Sequence, residues 1–376
     1  MSMPDFAVPD TPWDRIAAQR MVLRRVWNGD FGLDVPVLSI DWDWQCEVDG
    51  QTYQNAGCWT EPVRRVEDAE FDVRLQLEVV RHQIECLEAS DDVGLPLANV
   101  PAFDMIVFGT GPLSTAFGSR FILREASQPF FEPAIHTPEE ALAVKKPDLL
   151  RDGLCPTILE RLRYYNEATQ GKVILTPTDT AGPWSIATQI WHYEDMLAAI
   201  RTAPEAVHSF LDLVTDTILE WYNLQEAYIG RWGRTHTSFS SPWSPRGLGI
   251  GDDCMVCVSP ETFEEFFRPY NNRLSREYGG ITYHCCMCYE RYLPSIIKTE
   301  GFLGFDAQPG FNDFGKIEAA LTEAHGVWTR VCGPADLDYI RRLKGKAGML
   351  FAVYGTDRDD AVAKAREFLS ELRAIE

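Results

Sequence analysis

The chain has 376 residues, 45 % apolar and 24 % charged, a globular composition that excludes a disordered or fibrous protein and suits one large α/β barrel or two medium domains. Against 35 Lys and Arg stand 56 Asp and Glu, a formal charge of −21 that repels phosphate backbones and anionic headgroups. The densest basic stretch, Arg341 to Lys346, ends a predicted helix, and no run of about 18 apolar residues exists, so neither nucleic acid nor a membrane is an expected partner.

Met1 to Asp14 is acidic and proline-rich, without the basic-then-apolar layout of a signal peptide, so a cytoplasmic protein is expected. Residues 1–34 read as an extension with a helix, and residues 35–376 as the main domain. Short, mostly continuous apolar runs predict strands at Val35–Ile40, Asp104–Gly109, Val173–Thr178, Leu248–Asp253, Ile281–Cys286, Leu303–Ala307, Val327–Gly333 and Met349–Tyr354. Helices fill the gaps. Thr137 and Glu140 form a capping box, and Ser259-Pro260-Glu261 opens a further helix. Glu205 to Leu224 repeats Val207, Phe210, Leu211, Val214, Ile218 and Trp221 at steps of three and four. Asp360 to Ile375 is the last helix. Arg231 to Gly249, rich in Ser, Pro, Gly and Trp, reads as a long loop beside the pocket. Eight strands alternating with helices predict a single (β/α)8 TIM barrel of the α/β class. A doubly wound sheet is disfavoured because no Gly-x-Gly-x-x-Gly follows an early strand.

Ten cysteines in a chain this long are too few for a disulfide scaffold, and five of them lie between Cys254 and Cys288. The sharpest local signal is Tyr283-His284-Cys285-Cys286-Met287-Cys288 at a strand end. A period of two turns His284 and Cys286 to the same side, where an imidazole and a soft thiolate suit Zn²⁺. Small buried cysteines beside a hydrogen-bonded histidine are the competing reading. The pair in Cys254-Met255-Val256-Cys257 lacks the Gly or polar residues of a zinc knuckle, which favours a packing role. Other strand ends carry Asp41 and Asp43, Asp179 and Thr180, Asp252 and Asp253, Asp306, Cys332 and Tyr354. Barrel enzymes place their chemistry at such positions.

The segments Gly251-Asp252-Asp253 and Ser259-Pro260-Glu261-Thr262-Phe263-Glu264-Glu265-Phe266-Phe267-Arg268-Pro269-Tyr270 resemble the uroporphyrinogen decarboxylase superfamily, which includes the corrinoid-linked methyltransferases. Gly182-Pro183-Trp184 with Pro204-Glu205-Ala206-Val207 behind it agrees in order. So do His284-x-Cys286 leading to Gly301-Phe302-Leu303-Gly304-Phe305-Asp306, and Gly333-Pro334. The resemblance implies zinc on His284 and Cys286. Zinc-binding members add a cysteine from the last strand, where this chain reads Phe351-Ala352-Val353-Tyr354-Gly355; Cys332 or Asp306 would then complete the set. The decarboxylases carry an arginine-rich first-strand segment that grips substrate carboxylates, whereas here Ser39-Ile40-Asp41-Trp42-Asp43-Trp44 stands there, which disfavours a polycarboxylate.

The leading expectation is therefore a corrinoid-dependent methyltransferase, using zinc and cobalamin carried by a corrinoid protein partner, with a thiol acceptor or a methoxy or methylamine donor. Asp253, Asp306 and Tyr354 are its expected catalytic groups. Asp41, Asp43, Asp179, Trp42, Trp184 and Trp243 are expected to bind substrate, with Trp44 beside them, and His284, Cys286 and Cys332 to bind metal. Two readings compete: a metal-independent decarboxylase or lyase of a small substrate using strand-end aspartates, and a non-catalytic corrinoid- or ligand-binding barrel.

Overall fold

The computed structural model describes residues 4–31, 37–93, 100–179, 181–233, 243–307, 311–332, 341–343 and 345–374. The chain is mixed α/β. Its parallel strands are β1 (Val37–Trp42), β2 (Ala102–Phe103), β3 (Ile174–Leu175), β4 (Leu248–Gly251), β5 (Ile281–Cys285), β6 (Phe302–Ala307), β7 (Val327–Cys332) and β8 (Gly348–Gly355). Six of them form one hydrogen-bonded sheet in the order β1-β8-β7-β6-β5-β4, parallel throughout. β2 and β3 form a separate parallel pair, and a parallel bridge from Ala181 to Gly251 ties the end of the β3 segment to β4. The eight strands thus follow one another as in a barrel, but among the described residues no ladder joins β2 to β1.

The reason lies in where β2 spends its donors. The helices that matter are α1 (Trp13–Trp27), α2 (Ala69–Val93), α3 (Pro183–Ile190), α4 (Pro204–Gly233) and α5 (Arg358–Arg373). On α2, Gln83 accepts from the Ala102 N–H at 3.0 Å and Gln76 from that of Asp104 at 2.8 Å. Side chains have taken bonds that a neighbouring strand would make. The strand expected at Asp104–Gly109 is absent for a local cause. The Asp104 carboxylate accepts from the Ile106 N–H at 3.1 Å, an Asx-type turn, and Ile106–Phe108 is a 3₁₀ turn that ends at Gly109 with φ +80°. Likewise β4 stops at Gly251, and the expected extension to Asp253 gives way to a 3₁₀ turn over Asp253–Cys257.

The capping box at Thr137 forms as expected, with Thr137 Oγ1 accepting from the Glu140 N–H and Glu140 accepting from that of Thr137. Ser259 caps its helix through the Thr262 N–H. The helix predicted at Glu205–Leu224 is longer, and α4 runs on to Gly233 through the start of the segment expected to be a loop; residues 234–242 of that segment lie outside the described residues. α1 closes the end of the sheet where the strands begin. Its Leu23, Val26 and Trp27 pack with Val37, Leu303, Val327 and Leu350, from the starts of β1, β6, β7 and β8. With that end covered, the opposite rim, where the strands finish, is left to carry chemistry. Among the described residues no helix is long and apolar enough to cross a membrane.

Candidate functional site

The rim formed by β4, β5 and β6 gathers the His-x-Cys pair. His284 and Asp306 are register partners on adjacent strands, so their side chains stand side by side. His284 Nδ1 lies 2.7 Å from Asp306 Oδ2, and on the other side of the ring Nε2 lies 3.0 Å from Cys286 Sγ. The turn after β4 docks onto the same strand end: the Cys286 N–H donates to Asp253 Oδ1 at 2.5 Å, and the Asp252 N–H donates to the His284 carbonyl at 3.0 Å. One ligand atom each from Asp253, His284 and Cys286 lies within 4.8 Å of the others.

This set fits a zinc ion. It supplies one nitrogen, one sulfur and one oxygen, and the non-ligating nitrogen of His284 is held by a buried carboxylate, as metal-bound histidines usually are. Asp306 is fully buried and occupies Nδ1, so it orients the ring and fixes the tautomer from behind. Burial alone would push the His284 imidazole down, but hydrogen bonds to Asp306 and Cys286 and the charges of both outweigh it and lift the group to about 10.

Next to this cluster sits a carboxyl that the sequence pattern undervalues. Asp252, fully buried, accepts from Ser185 Oγ at 2.9 Å and from Asn271 Nδ2 at 2.9 Å. Burial pushes its carboxyl up to about 7, against those two hydrogen bonds. A Cβ at Gly182 would lie 2.3 Å from Asp252 Oδ1, so glycine there lets the α3 N-terminus close over the carboxyl. Asp253, by contrast, is exposed. Of the two strand-end neighbours, Asp253 was the expected catalytic group, but Asp252 has the environment that raises a carboxyl.

A second group lies at the end of β1. Half-exposed Asp41 meets His82 Nε2 at 2.7 Å, and Asp43 accepts from Tyr354 Oη at 3.0 Å and Asn55 Nδ2 at 2.8 Å. Partial burial and the bond to Asp43 push the Tyr354 phenol up to about 12. Trp42 and Trp44 flank His82, while Cys86 Sγ approaches its Nε2 at 3.5 Å. Nothing in the linear pattern singles out His82 and Cys86, which sit mid-helix on α2; only their i, i+4 spacing hinted at a shared face.

The remaining expectations divide. Trp243 is at the wrong end for a substrate pocket: its carbonyl accepts from Trp27 Nε1 at 3.0 Å, its ring lies under Arg20, and it packs on the α1 cluster where the strands begin. Trp184 is fully buried and stacked on Phe267 at 4.7 Å, a core residue. Asp179 lines a small internal cavity with Thr110, Trp221 and Tyr222. Cys332 ends β7, but its side chain lies outside the described residues, as do Thr180, Gly333 and Pro334. Tyr354 therefore groups with Asp43 rather than with His284. Among the described residues Cys254 and Cys257 join no metal-capable group, and Cys254 Sγ sits 3.6 Å from Thr188 Oγ1, in line with a packing role.

Comparison with known proteins agrees with the motif resemblance. Residues 103–227 match the family model described as Uroporphyrinogen decarboxylase (URO-D). A curated relative, the methylated-thiol–coenzyme M methyltransferase of Methanosarcina mazei, is 30 % identical over 185 residues, 48 % of this chain and 46 % of the relative. The chain thus matches about half the length of that relative. A solved structure titled methyltransferase from Methanosarcina mazei superposes with a TM-score of 0.60 at 16 % identity, covering 95 % of this chain and 98 % of the other. That likeness concerns the fold. The family match stops before Asp252, so the cluster around His284 stands on its own geometry.

Proposed function

We propose that this chain is a corrinoid-linked methyltransferase built on a (β/α)8 barrel opened between β1 and β2, moving a methyl group between a corrinoid protein and a small thiol. The observation that carries the reading is the convergence of Asp253, His284 and Cys286 at one rim, with buried Asp306 behind the imidazole. The match to a relative whose name includes a methylated thiol supports a thiol as the methyl acceptor or, when methylated, the donor.

In this reading His284 Nε2, Cys286 Sγ and Asp253 hold a zinc ion, whose Lewis acidity would keep a bound thiol as thiolate at neutral pH. The chain's own residues do the rest. Asp306 accepts a hydrogen bond from His284 Nδ1 and so holds the ring with Nε2 on the ligand side, where a bound ion would take the place of the Nε2 proton. The Cys286 N–H holds the Asp253 carboxylate in place. Asp252, next to Asp253 in the chain, is oriented by Ser185 and Asn271, and its N–H holds the His284 carbonyl, so it positions the turn that carries Asp253. Asp41 and Asp43, the latter held by Tyr354 Oη, place acidic groups at the β1 side of the rim, which suits neutral or cationic substrates over polycarboxylates.

The test is a paired assay on zinc-reconstituted protein. With methylcobalamin and a panel of small thiols, the methyl–cobalt absorbance band should be lost and an S-methyl product formed. With uroporphyrinogen, no carbon dioxide should be released. Decarboxylation of uroporphyrinogen without any methyl transfer would overturn the proposal.

A further inference from the structure

We propose that Asp41, His82 and Cys86 form a second divalent-metal site, separate from the His284 cluster, with three protein ligands and an open position toward the rim. Asp41 Oδ1, His82 Nε2 and Cys86 Sγ lie 2.7, 3.5 and 3.9 Å apart pairwise. A tetrahedral ion with bonds of about 2.0–2.3 Å separates its ligand atoms by about 3.3–3.6 Å. Two of the three separations are already near that range. The third needs the carboxylate of Asp41 to swing out by about half an ångström, and that residue is half-exposed and can move.

The sequence builds this cluster from two elements. His82 and Cys86 are one helical turn apart on α2, on the face packed against β1, and Asp41 stands near the end of β1. The His82 ring is clamped: Trp44 stacks on it at 4.5 Å with planes 9° apart, and Trp42 meets it edge-on at 5.0 Å. Among the described residues His82 Nδ1 finds no hydrogen-bond partner, and the two indoles set the ring's direction and aim Nε2 at Asp41 and Cys86. The Trp42 N–H donates to Asp41 Oδ1 at 2.8 Å and steadies the third donor. Two buried ligands and one half-exposed ligand make a site closed at the back and open at the front. That is the arrangement in which a bound ion keeps a position for water or a small ligand. The N, S and O donor set favours Zn²⁺ over Mg²⁺ or Ca²⁺, which take oxygen alone.

The site lies four strands round the sheet from His284, since β1, β8, β7, β6 and β5 are successive neighbours. Separate variants can therefore read the two centres. Full-length protein stripped with chelator would be titrated with Co²⁺, following the thiolate-to-cobalt charge-transfer band, and the zinc-loaded form counted by elemental analysis. Wild type should bind two equivalents. Cys86→Ser and His82→Ala should each bind one, Cys286→Ser should bind one, and Cys86→Ser/Cys286→Ser should show no thiolate band. Should His82→Ala fail to fold, Cys86→Ser, a one-atom change, carries the same test. A single equivalent lost in Cys86→Ser but kept in Cys286→Ser would uphold this site and remove the one proposed at His284. Wild-type binding of one equivalent, unchanged in Cys86→Ser, would overturn it, as would two equivalents unchanged in both Cys86→Ser and His82→Ala. Binding of no metal would overturn both sites.

Discussion

Two polar clusters, both rich in charge, differ in burial and in what they leave unspent. In the first turn of α2, Asp72 is fully buried between Arg65 and Arg161. Its Oδ1 accepts from Arg65 Nε at 2.6 Å and its Oδ2 from Arg161 Nη1 at 3.1 Å, with Tyr165 Oη and Gln76 completing the set. The guanidinium groups continue to the carbonyls of Gly57, Cys58, Arg65 and Val66. With Asp104 3.6 Å from Arg65 Nη2, two acids oppose the two guanidinium groups, and Asp72 with both arginines is buried, which is how a buried ionic network is tolerated. At the rim, Asp253 and Cys286 are exposed and His284 turns one nitrogen toward them. Charge that is closed on itself holds the fold; charge that faces outward with ligand atoms in common reach is available for chemistry.

Substitutions should separate these two kinds of cluster. Asp72→Asn removes the anion between two buried cations and should cost about 3–5 kcal/mol of stability in urea unfolding, with metal binding intact in whatever fraction stays folded. A loss under 1 kcal/mol would mean the network is not closed as described.

Asp252 tests the boundary between the two kinds, being sealed yet strained. Its folded value of about 7 lies above the usual carboxylate value near 3.9, so the folded state binds its proton more tightly than the unfolded chain does. The stability it contributes is complete below about pH 4 and is lost as pH rises through about 7, to the extent of a few kcal/mol. Asp252→Asn should remove that fall, so the difference between variant and wild-type unfolding free energies should change steadily across this window. A difference constant from pH 4 to pH 8 would contradict the raised value.

Tyr354→Phe deletes one partly exposed hydrogen bond to Asp43 and should cost about 0.5–1 kcal/mol in thermal unfolding. A larger loss would put Tyr354 among the structural groups. Smallest of all in stability is Cys286→Ser, expected within about 0.5 kcal/mol of wild type because the residue is exposed and the hydroxyl can keep the contact with His284. Yet it should abolish tight metal at the His284 site. The ranking by stability and the ranking by chemistry run in opposite order.

Much of the sheet was legible because continuous apolar runs mark buried parallel strands. β1 and β4 to β8 fall within a few residues of their predicted bounds. β2 was not, because whether Asp104 bonds its own backbone is a side-chain choice that hydrophobicity does not record. In the site, the His284–Cys286 pairing followed from a period of two, and Asp306 beside it from strand register. The role of Asp306 behind the ring, and the contrast of Asp252 with Asp253, depend on which way a turn faces after β4. Trp243 was misplaced for a related reason: an aromatic residue in a loop before a strand has no mark of which end of the sheet it will cover. His82 and Cys86 were missed because their partner, Asp41, lies 41 and 45 residues away in the chain, and no spacing rule spans that distance.

The most direct measurement follows the methyl–cobalt band of methylcobalamin with an active thiol, comparing initial rates for wild type and Cys286→Ser, each supplied with the same concentration of zinc and shown to be equally stable. Loss of a metal ligand forfeits several kcal/mol of barrier lowering, so the variant should be slower by about a hundredfold or more. Equal rates in the two proteins would place the chemistry away from the His284–Cys286 rim and contradict the account.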